Sequence, residues 1–248
     1  MAIFEFKRRL VDPGKRPWGK EGLGYTVPFL YHDYTISSYA TNPYTHQYYN
    51  PIEGDIILIT AHNKDATINS ISYGGVEPTL LIKNDDDWPQ TYLYAIPRDS
   101  QPATGENHNL EVNWSESNTG ATSFTKLGLV KENVLSDLSL LPVATTYESS
   151  SSSIETLVSI EKDIIYFIFD CATFREGTSG DPDSGQHLLF QEDYEDPRWA
   201  GASCKIVEGL NSESMGWSYS GDSDRIRHCV VAIPIASLFN IDNTLETA

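Results

Sequence analysis

Four apolar residues in a row, Ile56 to Ile59, end in the polar Thr60, His62 and Asn63. So short and unbroken a run predicts a strand covered on both faces. Ile71 and Tyr73 then alternate with Ser70 and Ser72, which predicts a strand with one buried face. Gly74-Gly75 breaks the pattern where the backbone needs positive φ, and Thr79 to Ile82 begins another apolar run. Further strands are predicted at Tyr92 to Ile96 and at Ser123 to Val130. Leu110, Val112 and Trp114 give the cleanest alternation in the chain. The second half repeats the style with Ile154 to Ile160, a long run from Ile164 to Phe169, Lys205 to Val207, Met215 to Tyr219 and a closing run from Arg227 to Ile235. Val134, Leu135, Leu138 and Leu141 keep a helix-compatible spacing, so a single helical excursion fits Lys131 to Leu141.

Roughly nine to eleven short strands separated by Gly, Pro, Asn and Ser turns predict an all-β fold, a two-sheet antiparallel β-sandwich of jelly-roll-like type. Five serines, Ser149 to Ser153, resemble a linker, but the apolar pattern resumes at once. The Ile56 and Ile164 runs are therefore expected at the centre of one sandwich, a single domain over residues 51–248. From Ala172 to Ala200 the chain turns polar and acidic, which predicts a long excursion at one end of the sheets.

Residues 1–50 differ in kind. They are rich in rings from Phe4 to Tyr49, and four prolines, with Pro51 just beyond, interrupt any regular element. A segment this aromatic is no solvated linker and is expected to lie against a surface, its own domain's or a neighbour's. Charge sharpens the picture. The chain carries a formal −18, yet six of its seventeen basic residues fall in the first twenty positions. The expectation is an extended basic arm on an anionic body, and such a body makes nucleic-acid binding an unlikely role. Three cysteines without C-x-x-C spacing suggest free thiols rather than a disulfide framework or a zinc site. The start lacks the order of a secretory signal and no apolar run approaches a membrane span, so a soluble chain without a membrane partner is expected.

Gly54-Asp-Ile-Ile-Leu with Ala61-His-Asn, Ile68-Asn-Ser-Ile-Ser-Tyr-Gly-Gly-Val-Glu-Pro-Thr79, Tyr92-Leu-Tyr-Ala95 and Leu110-Glu-Val-Asn-Trp-Ser115 follow one another in an order that resembles the β-sandwich domain of uncharacterised phage structural and tail-associated proteins. Asp163-Ile-Ile-Tyr-Phe-Ile-Phe169, Trp217-Ser-Tyr-Ser220 and Val231-Ala-Ile-Pro-Ile235 extend the likeness over about residues 50–237. The resemblance implies a virion building block of bacteriophage, a head decoration or accessory subunit or a tail adaptor, with no catalytic residues to carry over. Its partners would be other capsid or tail subunits and further copies of itself, and its place the virion.

Candidate chemistry is sparse. Asp85-Asp86-Asp87 and Asp181-Pro-Asp183 offer oxygens, but their spacing matches no EF-hand loop, and solvated acidic loops are the plainer reading. Glu192, Asp193, Glu195 and Asp196 lie in one acidic run, whereas glycoside hydrolysis needs two carboxyls across a cleft. No nucleophile elbow, P-loop or His-Glu-x-x-His stretch occurs, so neither an enzyme nor a cofactor is expected. Arg8, Arg9, Trp18 and Tyr31 are the expected partner-binding anchors, because Arg and large rings carry interface energy disproportionately. The alternative is a carbohydrate-binding host-adsorption module, with Tyr194 and Trp199 in the acidic excursion as rings for a host glycan.

Overall fold

The computed structural model describes residues 8–9, 29–37, 40–50, 56–63, 66–85, 89–116, 118–119, 122–129, 137–175, 180–195, 198–223 and 225–237. Among them are nineteen strands and two short 3-10 turns, so the fold is all-β. The first half contains β1 (Arg8–Arg9), β2 (Phe29–Ser37), β3 (Ala40–Thr41), β4 (Tyr44–Asn50), β5 (Ile56–Asn63) and β6 (Ile68–Tyr73). It continues with β7 (Thr79–Asn84), β8 (Gln90–Pro97), β9 (Glu106–Trp114), β10 (Asn118–Thr119) and β11 (Thr122–Leu129). The second half contains β12 (Val143–Glu148), β13 (Ser151–Ser159), β14 (Ile164–Phe174) and β15 (Gly180–Pro182). β16 (His187–Glu195), β17 (Arg198–Glu208), β18 (Ser212–Ser223) and β19 (Ile226–Ser237) complete it.

Strand order shows the plan. An inner sheet, β1-β2-β11-β5-β8-β7, faces an outer sheet, β4-β9-β6; a second inner sheet, β12-β19-β14-β17-β16, faces a second outer sheet, β13-β18-β15. Leave aside β1 and the small β3–β10 pairing, and each half has eight strands. In both halves the inner order is first, eighth, third, sixth, fifth, and the outer order is second, seventh, fourth. The same jelly-roll path is thus traced twice. All ladders are antiparallel.

Three apolar interiors hold these layers together. Tyr44, Tyr48, Ile57, Ile59, Tyr73, Val112 and Trp114 fill the first sandwich. The second is filled by Ile154, Phe174, Trp199, Trp217 and Ile226, continuing into Val158, Ile168, Met215 and Val230. Between the two inner sheets Ile56, Leu58, Leu93 and Ala95 meet Phe167, Phe169, Cys171, Cys204, Cys229 and Val231. The four sheets therefore stack outer–inner–inner–outer. The single sandwich expected from the sequence is corrected: the Ile56 and Ile164 strands are centres of two sandwiches packed back to back. Strands at the centre of an inner sheet have no wet face, so all eight positions of β5 are buried, whereas β9 and β13 alternate. Each fully buried Leu, Ile or Phe contributes about 1.5–3 kcal/mol.

Other expectations change with this plan. Phe29–Ser37 and Tyr44–Asn50 are strands of the body's own sheets, so a boundary at residue 50 cuts into the first sandwich. Tyr44 and Tyr48 are ring-rich because they are core. The helix expected over Lys131 to Leu141 is, within the described residues, one 3-10 turn at Leu138–Leu140. The acidic stretch after Ala172 forms β15, β16 and the start of β17, and its polarity suits strands at sheet edges. Gly74 and Gly75 do turn the chain at φ +59° and +80°. All three cysteines are free and buried, and burial pushes the Cys171 and Cys204 thiols well up.

His62 lies between the two sandwiches. Its Nδ1 is 3.4 Å from Thr91 Oγ1, which in turn sits 2.8 Å from Thr173 Oγ1 across the inner sheets, while its buried Nε2 has no hydrogen-bond partner. Burial lowers the imidazole from 6.5 to about 3. The unfolded chain binds this proton well before the folded one, so stability is full above about pH 6.5 and falls as pH drops towards 3. Urea unfolding at pH 7 and pH 5 is expected to show about 2 kcal/mol less loss on acidification in His62→Leu than in the parent. Equal losses in the two proteins would show that this ring does not couple folding to protons.

Candidate functional site

Two places concentrate polar groups that the apolar interiors do not explain. The first is the edge of the first inner sheet formed by β1 and β2 among the described residues. There β1 pairs with β2, Arg8 opposite Asp33 and Arg9 opposite His32, and β2 pairs in turn with β11, Tyr31 opposite Gly128. The topology brings Arg8, Arg9 and Tyr31 to one edge, within two residues of one another along β2. Trp18 lies outside the described residues. An outermost strand presents unpaired backbone N–H and C=O groups, which makes such an edge a template for strand addition by another chain. β1 occupies only two positions of it.

The second place lies inside the second sandwich. Asp170 on β14 accepts from Ser203 N and Oγ, both at 2.8 Å, through Oδ1. Through Oδ2 it accepts from Trp217 Nε1 at 3.1 Å and Gln186 Nε2 at 3.4 Å, and meets His228 Nε2 at 3.1 Å. The other ring nitrogen, His228 Nδ1, is 2.8 Å from Thr156 Oγ1. Thr156 and Trp217 belong to the outer sheet, Asp170, Ser203 and His228 to the inner one, so the network ties the layers together. The order hydroxyl, imidazole, carboxylate is that of a nucleophilic triad. Burial argues for a different use: Thr156, His228 and Asp170 are all closed off from solvent, and an acyl-transfer nucleophile must meet its substrate.

A buried cation holds a comparable place in the first sandwich. Lys126 Nζ donates to Tyr49 O at 2.8 Å and to Tyr73 Oη at 2.7 Å, with the Tyr73 ring centroid 4.6 Å away.

No family model, curated protein or solved structure matches this chain.

The glycan-binding expectation fares unevenly. Trp199 is 2% exposed, stacked on Phe174 at 4.3 Å and edge-on to Trp217 at 5.2 Å. This corrects its reading as a loop ring: its position on β17 points inward, and a covered indole cannot stack on a sugar. Tyr194 falls on β16 at the irregularity between Asp193 and Glu195. Of the acidic clusters, Asp85 pairs with Lys83 at 2.8 Å, while Asp86, Asp87 and Asp196 lie outside the described residues. Among the described residues no three His, Cys, Asp or Glu side chains gather where they could hold a metal ion.

Sequence reasoning missed both buried networks. The available signal was Asp170 itself, a charge inside the otherwise unbroken run from Ile164 to Phe174.

Proposed function

We propose that this protein is a non-enzymatic structural component of a bacteriophage virion, a head decoration or accessory subunit or a tail adaptor, attached to a neighbouring subunit through its N-terminal segment. The observation that carries the reading is the lie of that segment: Arg8–Arg9 pair with β2 at the rim of the first inner sheet. A strand paired at a sheet edge can be exchanged for, or extended by, a strand of a neighbour. Two basic residues there, on a chain of net charge −18, favour an acidic or carbonyl-rich partner surface. The order of sequence motifs and the jelly-roll path, a fold that recurs in capsid proteins, point the same way by analogy.

Removing residues 1–28 tests the reading, since the cut falls before β2 and, among the described residues, spares every buried core side chain. The expected product keeps the parent's circular dichroism and thermal midpoint but no longer co-sediments with particles when supplied in trans. Truncated protein that still joins the particles would overturn the attachment role.

A further inference from the structure

The first sandwich is open along one side. Its outer sheet has three strands, while the inner sheet continues through β8 to β7, so β6 and β7 face each other without a further strand between them. The groove that results encloses about 380 Å³, within the range of small-molecule sites. One wall is Ile68 to Ile71, the other Glu77 to Leu80, and Tyr94 lies between them.

The lining alternates apolar and hydrogen-bonding groups. Leu80 is 43% exposed, and Ile68 is half-buried. Ser70 and Thr79 bring hydroxyls, and Glu77 an exposed carboxylate. Asn69 spends its amide N–H on Trp114 O at 3.0 Å, which leaves its carbonyl oxygen as an acceptor. Tyr94 is 6% exposed, and its hydroxyl has no partner among the described residues. Among the described residues no Lys, Arg or His lines the groove.

The second sandwich shows what this side requires. At the matching place, between β15 and β16, the chain fills the opening with its own carboxamide. Gln186 Nε2 donates to Ser203 Oγ at 2.8 Å and Gly216 O at 3.0 Å, and Gln186 Oε1 accepts from Gly216 N at 2.8 Å. In the first sandwich the turn folds back on itself instead, Tyr73 and Val76 exchanging backbone bonds and Gly74 N donating to Asn109 O at 2.9 Å. No carboxamide from that turn enters the groove.

From these observations we infer that the groove between β6 and β7 binds a neutral saccharide of one or two rings. A sugar ring has an apolar C–H face for Leu80 and Ile68 and a rim of hydroxyls for Tyr94, Ser70, Thr79 and Asn69. Glu77 and the absence of a cation among the described lining residues disfavour uronic acids and phosphates. The site is independent of the N-terminal attachment, so either can fail without the other.

The test is an amide chemical-shift titration of the full chain with three probes: neutral hexose oligomers, N-acetylhexosamine oligomers and uronic acid oligomers. Saturable shifts are expected at Ile68, Ser70, Leu80 and Tyr94 with at least one neutral probe, and about tenfold weaker binding of the uronic series. Leu80→Arg places a long side chain in the groove from an exposed position and is expected to weaken binding by about tenfold or more with the thermal midpoint kept. Tyr94→Phe deletes one hydroxyl and is expected to weaken it several-fold. Absence of saturable shifts with both neutral probes, undiminished binding by Leu80→Arg, or preference for the uronic series would each overturn the assignment.

Discussion

Asp170→Ala is expected to cost about 3–5 kcal/mol of folding stability, because it strips the common acceptor from a buried polar cluster. Five donor contacts converge on this carboxylate, from Ser203 N, Ser203 Oγ, Gln186, Trp217 and His228. None of Asp170, Ser203 and His228 reaches solvent, so water cannot readily take the lost place. The neutral isostere separates geometry from acceptor capacity. Asp170→Asn keeps an oxygen for Ser203 but turns an amide N–H towards Trp217, His228 and Gln186, so an intermediate loss of about 1–3 kcal/mol is expected. Urea unfolding monitored by tryptophan fluorescence reads both. A further variant, Thr156→Val, removes the hydroxyl beyond His228, and its loss is expected to be non-additive with that of Asp170→Ala. Losses below about 1 kcal/mol for Asp170→Ala would mean that the cluster does not fasten the two sheets of this sandwich.

Much of the architecture is legible from periodicity, for a reason visible in the layers. A strand between two other layers has no polar face, so Ile56 to Ile59 and Ile164 to Phe169 are unbroken, and all of these residues but the half-buried Ile164 are buried. A strand in an outer layer keeps one wet face, so Leu110, Val112 and Trp114 are buried between exposed neighbours. The same pattern cannot say which inner strand belongs to which sandwich. β5 and β14 read alike because they hold equivalent places in two copies of one path, and similarity alone favours putting them in one sandwich. Pairing partners such as Thr125 opposite Thr60, or Cys229 opposite Cys171, are set by chain closure over more than fifty residues and leave no local mark.

Polar residues inside apolar runs are the part of the site that could have been found. Asp170 follows Ile-Phe-Ile-Phe-like neighbours and precedes Cys171 and Ala172, and Lys126 stands between Thr125 and Leu127 in β11. Charges at such positions are rare unless partnered. Their partners, Trp217 and His228 in one case and Tyr49 and Tyr73 in the other, come from strands distant in sequence, and only the fold names them. Trp199 went the other way. Its acidic surroundings suggested a wet loop, but those residues line the edge strand β16 while β17 lies one strand further in.

Trp199→Ala is accordingly expected to act on folding, at a cost of about 3–5 kcal/mol. The indole fills the space between Phe174 and Trp217, and Phe174 itself lies 3.7 Å, centroid to centroid, from Tyr219, so truncation opens a cavity inside a closed ring cluster. Gly201 gives an internal control. A methyl group there would come within 2.3 Å of the Trp199 ring, so Gly201→Ala alone forces the indole to shift, at about 1–3 kcal/mol. In the Trp199→Ala background the same methyl group enters vacated space, and its cost is expected to vanish or change sign. Each variant's thermal midpoint carries the answer, with a drop of roughly 10 °C expected for Trp199→Ala. A surface ring would behave differently: stability near the parent's, and no coupling to Gly201. The cycle therefore decides between a core tryptophan and a sugar-stacking one without any ligand, and leaves the groove beside Tyr94 as the place where a saccharide is to be sought.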